Sequence, residues 1–186
     1  CVGDDSDFTS EKETVTEGSA DLKMNHAADE MHVGGDFIIK TMSNENRTAG
    51  VLYIGGNFTQ LNGSIFAPAA EHKTVFNGNG EQIISFESEW SGFGTLEATN
   101  DQLIFKNNIS WIKQGSDIHA KSDGSKINGL DMDLNGYELT IDGDIGVYSS
   151  IDINKGIMTV NGSMNHYRNE IDLNGGKLYI SENYRC

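Results

Sequence analysis

The sequence predicts an all-β fold, a parallel β-helix (β-solenoid) of about 7–8 rungs with a period of about 20 residues. Three observations predict it. The last third holds an internal repeat that aligns without a gap, apolar and polar residues alternate inside each copy, and Gly-rich or Asn-Gly turn signals close the apolar runs. Composition agrees: 22 Gly, a single Pro and abundant Asn, Asp, Ser and Thr favour many short strands joined by tight turns. No stretch has a sustained helical period, and 186 residues suffice for one substantial core.

The first copy of the repeat runs Asp133-Leu134-Asn135-Gly136-Tyr137-Glu138-Leu139-Thr140-Ile141-Asp142-Gly143. The second is Asp152-Ile153-Asn154-Lys155-Gly156-Ile157-Met158-Thr159-Val160-Asn161-Gly162, and the third runs from Asp172-Leu173-Asn174-Gly175 to Glu182. The offsets, 152 less 133 and 172 less 152, are 19 and 20 residues. Two or three short strands with their corners use about this length, one solenoid turn. Alternation turns Leu134, Leu139 and Ile141 inward and Asp133 and Thr140 outward. Stacked turns should therefore superpose Leu134, Ile153 and Leu173 as one interior column, and Ile141, Val160 and Ile180 as another. Asn135, Asn154 and Asn174 fall at a corner, where an amide ladder can bond the backbone and the turns above and below.

In the N-terminal half, Met31-His32-Val33-Gly34-Gly35-Asp36-Phe37 matches Leu52-Tyr53-Ile54-Gly55-Gly56-Asn57-Phe58 at an offset of 21. Both match Leu139–Ile145 in type, so they are expected to repeat the second part of the C-terminal unit. Ile54 and Ile141 are 87 residues apart, about four periods. Val75, Leu96 or Ile104, and Ile118 or Ile127 are the candidates for the degraded turns between them. Residues 1–25 are polar and acidic with few core candidates. They are expected to form a linker, cap or inter-subunit contact, and residues 26–186 the solenoid.

The formal net charge of -15 would repel phosphate, which excludes nucleic acid as a partner. No run approaches the roughly 18 apolar residues of a membrane span. Asp131-Met132-Asp133-Leu134-Asn135-Gly136 fits the start of an EF-hand loop, with Asp142 eleven residues on. The equivalent Ser150–Lys155 and Glu170–Gly175 stretches make it instead an alternating strand with outward carboxylates. Stacking would set Asp133, Asp152 and Asp172 about 4.8 Å apart, at a repulsion of roughly 1 kcal/mol per neighbouring pair before screening. No cofactor is required. Ca²⁺ on those three aspartates is the one metal candidate, against a solvated acidic stripe.

His26, His32, His72, His119 and His166 form no HxH or HExxH pattern, and there is no GxSxG elbow or phosphate-cradling glycine loop. Hydrolysis of a glycan would need two carboxylates across a cleft, and lyase chemistry on an acidic glycan would need a cationic cluster that 13 scattered Lys and Arg do not supply. The chain is therefore expected not to be an enzyme. Trp90, Trp111 and Phe93 lie in the irregular middle and are expected either to cap the degraded turns or to stack on sugar rings. Sequons at Asn46, Asn57, Asn62, Asn108 and Asn161 follow from the composition.

Asp21-Leu22-Lys23-Met24-Asn25, Val33-Gly34-Gly35-Asp36-Phe37, Gly50–Gln60, His72–Gln82 and the C-terminal Asn-Gly turns together resemble a group of large secreted or surface β-helical proteins of Gram-positive bacteria. The resemblance covers residues from about 20 to the end. It implies one module of a longer array, joined end to end through turns like Tyr179–Tyr184, at the cell surface or outside it. It implies no activity.

A solenoid's terminal turns expose unpaired backbone and a slice of core. The third copy reaches Tyr184 without a cap, so either the chain continues or another copy stacks head to tail, a contact that does not close and yields a fibre. Cys186 of one copy could meet Cys1 of the next in a disulfide. The rival expectations are a lipid-modified Cys1, followed by the tether Val2–Asp7, or excision from a longer array. The expected function is thus a structural, self-associating module of an extracellular filament, appendage or surface adhesin. The alternative is a carbohydrate- or surface-binding β-helix domain without catalysis.

Overall fold

The computed structural model describes residues 7–16, 22–40, 47–99 and 101–186. Among them there is no helix, and every strand pairing is parallel. The first sheet stacks nine strands in chain order: Asp7–Ser10, Glu30–Val33, Val51–Ile54, Lys73–Phe76, Phe93–Ala98, Trp111–Gln114, Met132–Asp133, Ile151–Asp152 and Ile171–Asp172. The second stacks Thr14–Thr16, Phe37–Ile39, Phe58–Gln60, Gln82–Phe86, Leu103–Ile109, Ile118–Ile127, Glu138–Asp142, Ile157–Asn161 and Lys177–Ile180. Three short strands, Ile145–Val147, Met164–His166 and Tyr184–Arg185, add a third face to the later turns, continuous with the end of Ile118–Ile127.

This is a β-solenoid. One line of paired residues runs Asp7, Glu30, Val51, Lys73, Thr95, Lys113, Asp133, Asp152, Asp172: 172 less 7 is 165 residues in eight turns, about 20.6 per turn. Its first turn lies in the segment assigned above to a linker, cap or contact. Asp7–Ser10 and Thr14–Thr16 pair in register with the strands of the next turn, so the solenoid starts ahead of residue 26.

Strand alternation builds the core. Leu52 and Ile54 are fully buried while Val51 and Tyr53 between them are half-buried on the outer face. The Leu134–Ile153–Leu173 column exists as expected, since the aspartates just before these residues pair in register. It extends back through Gln114, Leu96, Thr74 and Leu52 to Met31. Ile141, Val160 and Ile180 also stack.

The N-terminal phase differs from the sequence reading. Ile54 stacks under Phe76 and Ala98 in the first sheet, whereas Ile141 belongs to the second, above Ala120, Leu103 and Gln82. Val75 takes the outer side of its strand beside Tyr53, where it is nevertheless covered, Ile104 lies outward beside Lys121, and Leu96 belongs to the Leu52 column. The reason is chemical. Ile54-Gly55-Gly56-Asn57-Phe58 turns from the first sheet to the second, and Ile141-Asp142-Gly143-Asp144-Ile145 from the second to the third, and both corners use a short apolar strand followed by Gly and Asx. The demand for glycine is real at the first corner, where a Cβ on Gly55 would fall 2.7 Å from the Gly34 carbonyl oxygen one turn away.

The two ends are unlike. Ser10, Thr14 and Thr16 of the first turn lie over Val33, Phe37 and Ile39, putting hydroxyl-bearing side chains on three apolar columns. In the last turn Leu173 is 47% and Tyr184 48% exposed, and Ile171, Leu178 and Ile180 are only partly covered. One turn earlier Ile153, Met158, Val160 and Met164 in the same columns are fully buried.

Candidate functional site

The corner column forms. Asn135, Asn154 and Asn174 have φ of 52°, 42° and 39°, and Gly136, Lys155 and Gly175 after them have 85°, 65° and 81°. The N–H groups of Tyr137, Gly156 and Gly176 donate back to the carbonyls of Leu134, Ile153 and Leu173. Two successive positive-φ residues inside such a closure make a type I′ turn, the conformation that Asn-Gly favours. Lys155 departs from that rule. Lys155→Gly is expected to stabilise the protein by about 1 kcal/mol by removing a left-handed side-chain residue, read as a rise in the urea midpoint.

The aspartates before each turn are part of it. The Asn135 N–H donates to Asp133 Oδ1 (2.6 Å), and the Asn154 side-chain amide donates to the same oxygen from the next turn (3.0 Å). Asp152 accepts the Asn154 N–H (2.9 Å) and the Asn174 amide (3.4 Å), and Asp172 accepts the Asn174 N–H (3.0 Å). Amide donors therefore bridge the acidic column along the axis, which offsets the repulsion between stacked carboxylates. Among the described residues no three His, Cys, Asp or Glu side chains are grouped to hold a metal ion. Asp131 Oδ1 of the EF-hand-like run accepts the Ser150 N–H, and no helix flanks it.

The histidines stay apart. His32 stacks on Tyr53 (4.4 Å) beside Glu30, His166 Nδ1 lies 3.0 Å from the Tyr184 hydroxyl, and His72 is in the core. His119 Nε2 lies 2.8 Å from Asp142, whose carboxyl is held below its usual value by hydrogen bonds from Asn161 and then His119. The expectation for the central aromatics needs correcting, because Trp111 and Phe93 are fully buried. Phe93 packs among Phe58, Phe76 and Phe86, and Trp111 lies 6.0 Å from Phe105. Only Trp90 is exposed, at 69%. Cys186 is a free, exposed thiol, and Cys1 lies outside the described residues.

Compared with protein-family models, curated proteins and solved structures, the chain matches none. Its surface must therefore be read from its own geometry.

The third face carries two neighbouring hollows. Ile118–Ile127 continues from the second sheet onto this face through a bulge, where the register with Leu103–Ile109 shifts near Lys106 and Asn108 and Gly124 takes φ 66°. Beyond the bulge one outward column runs in register through Asn108, Lys126, Gly146, Asn165 and Arg185. Tyr148 and Tyr167, each two residues past that column, stack at 4.5 Å with planes 16° apart, and the Lys126 ammonium lies 5.6 Å from the Tyr148 ring. Gly146 makes this possible: a Cβ there would lie 3.2 Å from the Tyr148 ring and 3.6 Å from that of Tyr167. Desolvation, and then the neighbouring Tyr167, push the Tyr148 phenol above its ordinary value.

A hollow of about 200 Å³ lies against the tyrosines, Asp144 and Asn165, and one of about 490 Å³ against Asn62, Glu87, Asn107 and Asn108. Gly124 and Lys126 line both, so the two adjoin and form an interrupted trough along the solenoid axis. It offers amide donors and acceptors, ring surface and a cation. Sequence reasoning passed over these residues, although Tyr148 and Tyr167 stand 19 apart, the same offset as Asp133 and Asp152.

Proposed function

We propose that this protein is a structural, self-associating module of an extracellular filament, appendage or surface adhesin, acting by association rather than by catalysis. The observation that carries the reading is the last turn, where five apolar columns reach the surface in register with unpaired strand edges. A parallel in-register β-coil is the partner that satisfies both the backbone and those columns. The occupant is the first turn of a second copy. Its strands Asp7–Ser10 and Thr14–Thr16 are each paired on one side only among the described residues, and threonine methyls can lie on apolar columns. The contact is heterologous, so it propagates. The Asp133, Asp152 and Asp172 column is read as part of the corner turns and not as a cation site. An extracellular setting, as on a Gram-positive surface, would allow Cys186 of one copy to bond Cys1 of the next.

Electron microscopy of the purified chain tests this. The expected result is fibres with an axial repeat of about 4.8 Å, a reducible ladder on non-reducing gels, and shortening to monomers in Ile180→Lys. Monodisperse monomers at every concentration would overturn the reading. So would a native chain longer than 186 residues, which would give the last turn its neighbour within the same molecule.

A further inference from the structure

The trough on the third face needs an explanation that stacking does not supply. The outward column residues that line it, Asn108, Lys126, Gly146 and Asn165, span three inter-turn steps, about 14 Å, and each step is close to the length of one pyranose residue. Asn62, Asn107, Asn108 and Asn165 line it; Asn107 and Asn108 each give one amide hydrogen to the protein, to Ser85 Oγ (2.8 Å) and the Phe86 carbonyl (3.3 Å), and keep a second hydrogen and an oxygen lone pair for a hydroxyl. Tyr167 is 58% exposed with one face against Tyr148, leaving ring surface to the solvent. Lys126 is held over the Tyr148 ring and stiffens that wall. Among the described residues Ile145, itself buried, is the one aliphatic residue lining either hollow, so the apolar surface on offer is ring face and not an aliphatic pocket for a peptide side chain. The backbone of this face is paired turn to turn, so no free strand edge runs along it for a peptide to join.

We propose that this trough binds a neutral glycan laid along the solenoid axis, with Tyr167 as the stacking platform and the asparagine amides as hydroxyl ligands. The net charge of -15 argues against a polyanionic glycan, and the lining adds the single cation Lys126 beside Asp144 and Glu87. Tyrosine beside hydroxyl-bonding amides is the pairing a sugar ring requires, an apolar face with a polar rim. The site is independent of the end-to-end contact, since it lies on the side of the solenoid.

Affinity electrophoresis in native gels tests it, with hydroxyethylcellulose, galactomannan and polygalacturonate as separate probes. Each mobility is divided by that in a glycan-free gel, so that self-association cancels. At least one neutral polymer should retard the protein and polygalacturonate should not. Tyr167→Ala should weaken retardation about tenfold and Asn165→Ala severalfold, while Tyr179→Ala, equally exposed on another face, leaves it unchanged. Melting curves matching that of the unsubstituted chain establish that the variants fold. No retardation by either neutral polymer, retardation by polygalacturonate alone, or full retardation of folded Tyr167→Ala would each overturn the site.

Discussion

Truncating Phe58 to alanine is expected to destabilise the protein by about 3–5 kcal/mol, read from urea denaturation followed by circular dichroism. Phe58 is fully buried and sits at the centre of an aromatic cluster. Its ring centroid lies 6.1 Å from Phe37, 5.1 Å from Phe66, 5.1 Å from Phe86 and 4.9 Å from Phe93. Those neighbours come from the turn before, from its own turn and from the turns after, so the cavity would open between turns as well as within one. The backbone cannot close it, because coil spacing is fixed by hydrogen bonds on both sides of Phe58–Gln60. Leu178→Ala removes three carbons against the six of Phe58→Ala, from a last turn that is only partly covered, and should cost far less. A loss below about 1 kcal/mol for Phe58→Ala would mean that the turns do not share one continuous core. In a solenoid each turn contacts only its neighbours, so the substituted region should also melt ahead of the Asn-Gly turns.

The C-terminal turns were legible in the sequence because two independent signals coincide there. Leu134, Ile153 and Leu173 mark the interior column, and the Asn at each next position marks a left-handed corner. The N-terminal half gave the class of structure but the wrong sheet. A run such as Leu52-Tyr53-Ile54-Gly55-Gly56 states that a strand ends at a corner, not which corner, and only the backbone partners of Ile54 decide that. Residues 7–16 hold too little apolar content to read as core. Ser10, Thr14 and Thr16 are hydroxyl residues that occupy inward columns at an end of the stack, where full burial is not demanded. The burial of Trp111 is illegible for the opposite reason: Ser110 and Lys113 around it look superficial, yet its register with Phe93 carries the ring inside. The tyrosine trough depends on Gly146 leaving room and on the bulge at Gly124 turning the strand, and both are three-dimensional facts.

His72 gives the fold a pH dependence with a definite sign. The imidazole is fully buried, Nδ1–H donates to the Ala49 carbonyl (2.8 Å), and Nε2 has no hydrogen-bond partner. Protonation would place a second N–H and a full charge in the core, with Arg47 near and Phe66 6.4 Å away. Burial is the main cause that lowers its pKa from 6.5 to about 4, with the Arg47 charge acting the same way and the Ala49 bond opposing. As the pH falls below about 6.5 the unfolded chain takes up a proton that the folded one refuses. Stability is therefore lost progressively down to about pH 4, by about 3 kcal/mol in total, and is flat in this respect above pH 7. Acidification also relieves the mutual repulsion of 28 Asp and Glu, which 13 Lys and Arg only partly offset; this works in the opposite direction and would mask a simple melting curve. The difference between the unsubstituted protein and His72→Asn isolates the histidine, since asparagine keeps a donor for Ala49 and carries no titrating group. The gap in unfolding free energy between the two should narrow by about 3 kcal/mol between pH 7 and pH 4. Parallel pH profiles would show that His72 titrates in the core as it does in water, and that the turn around it opens to solvent.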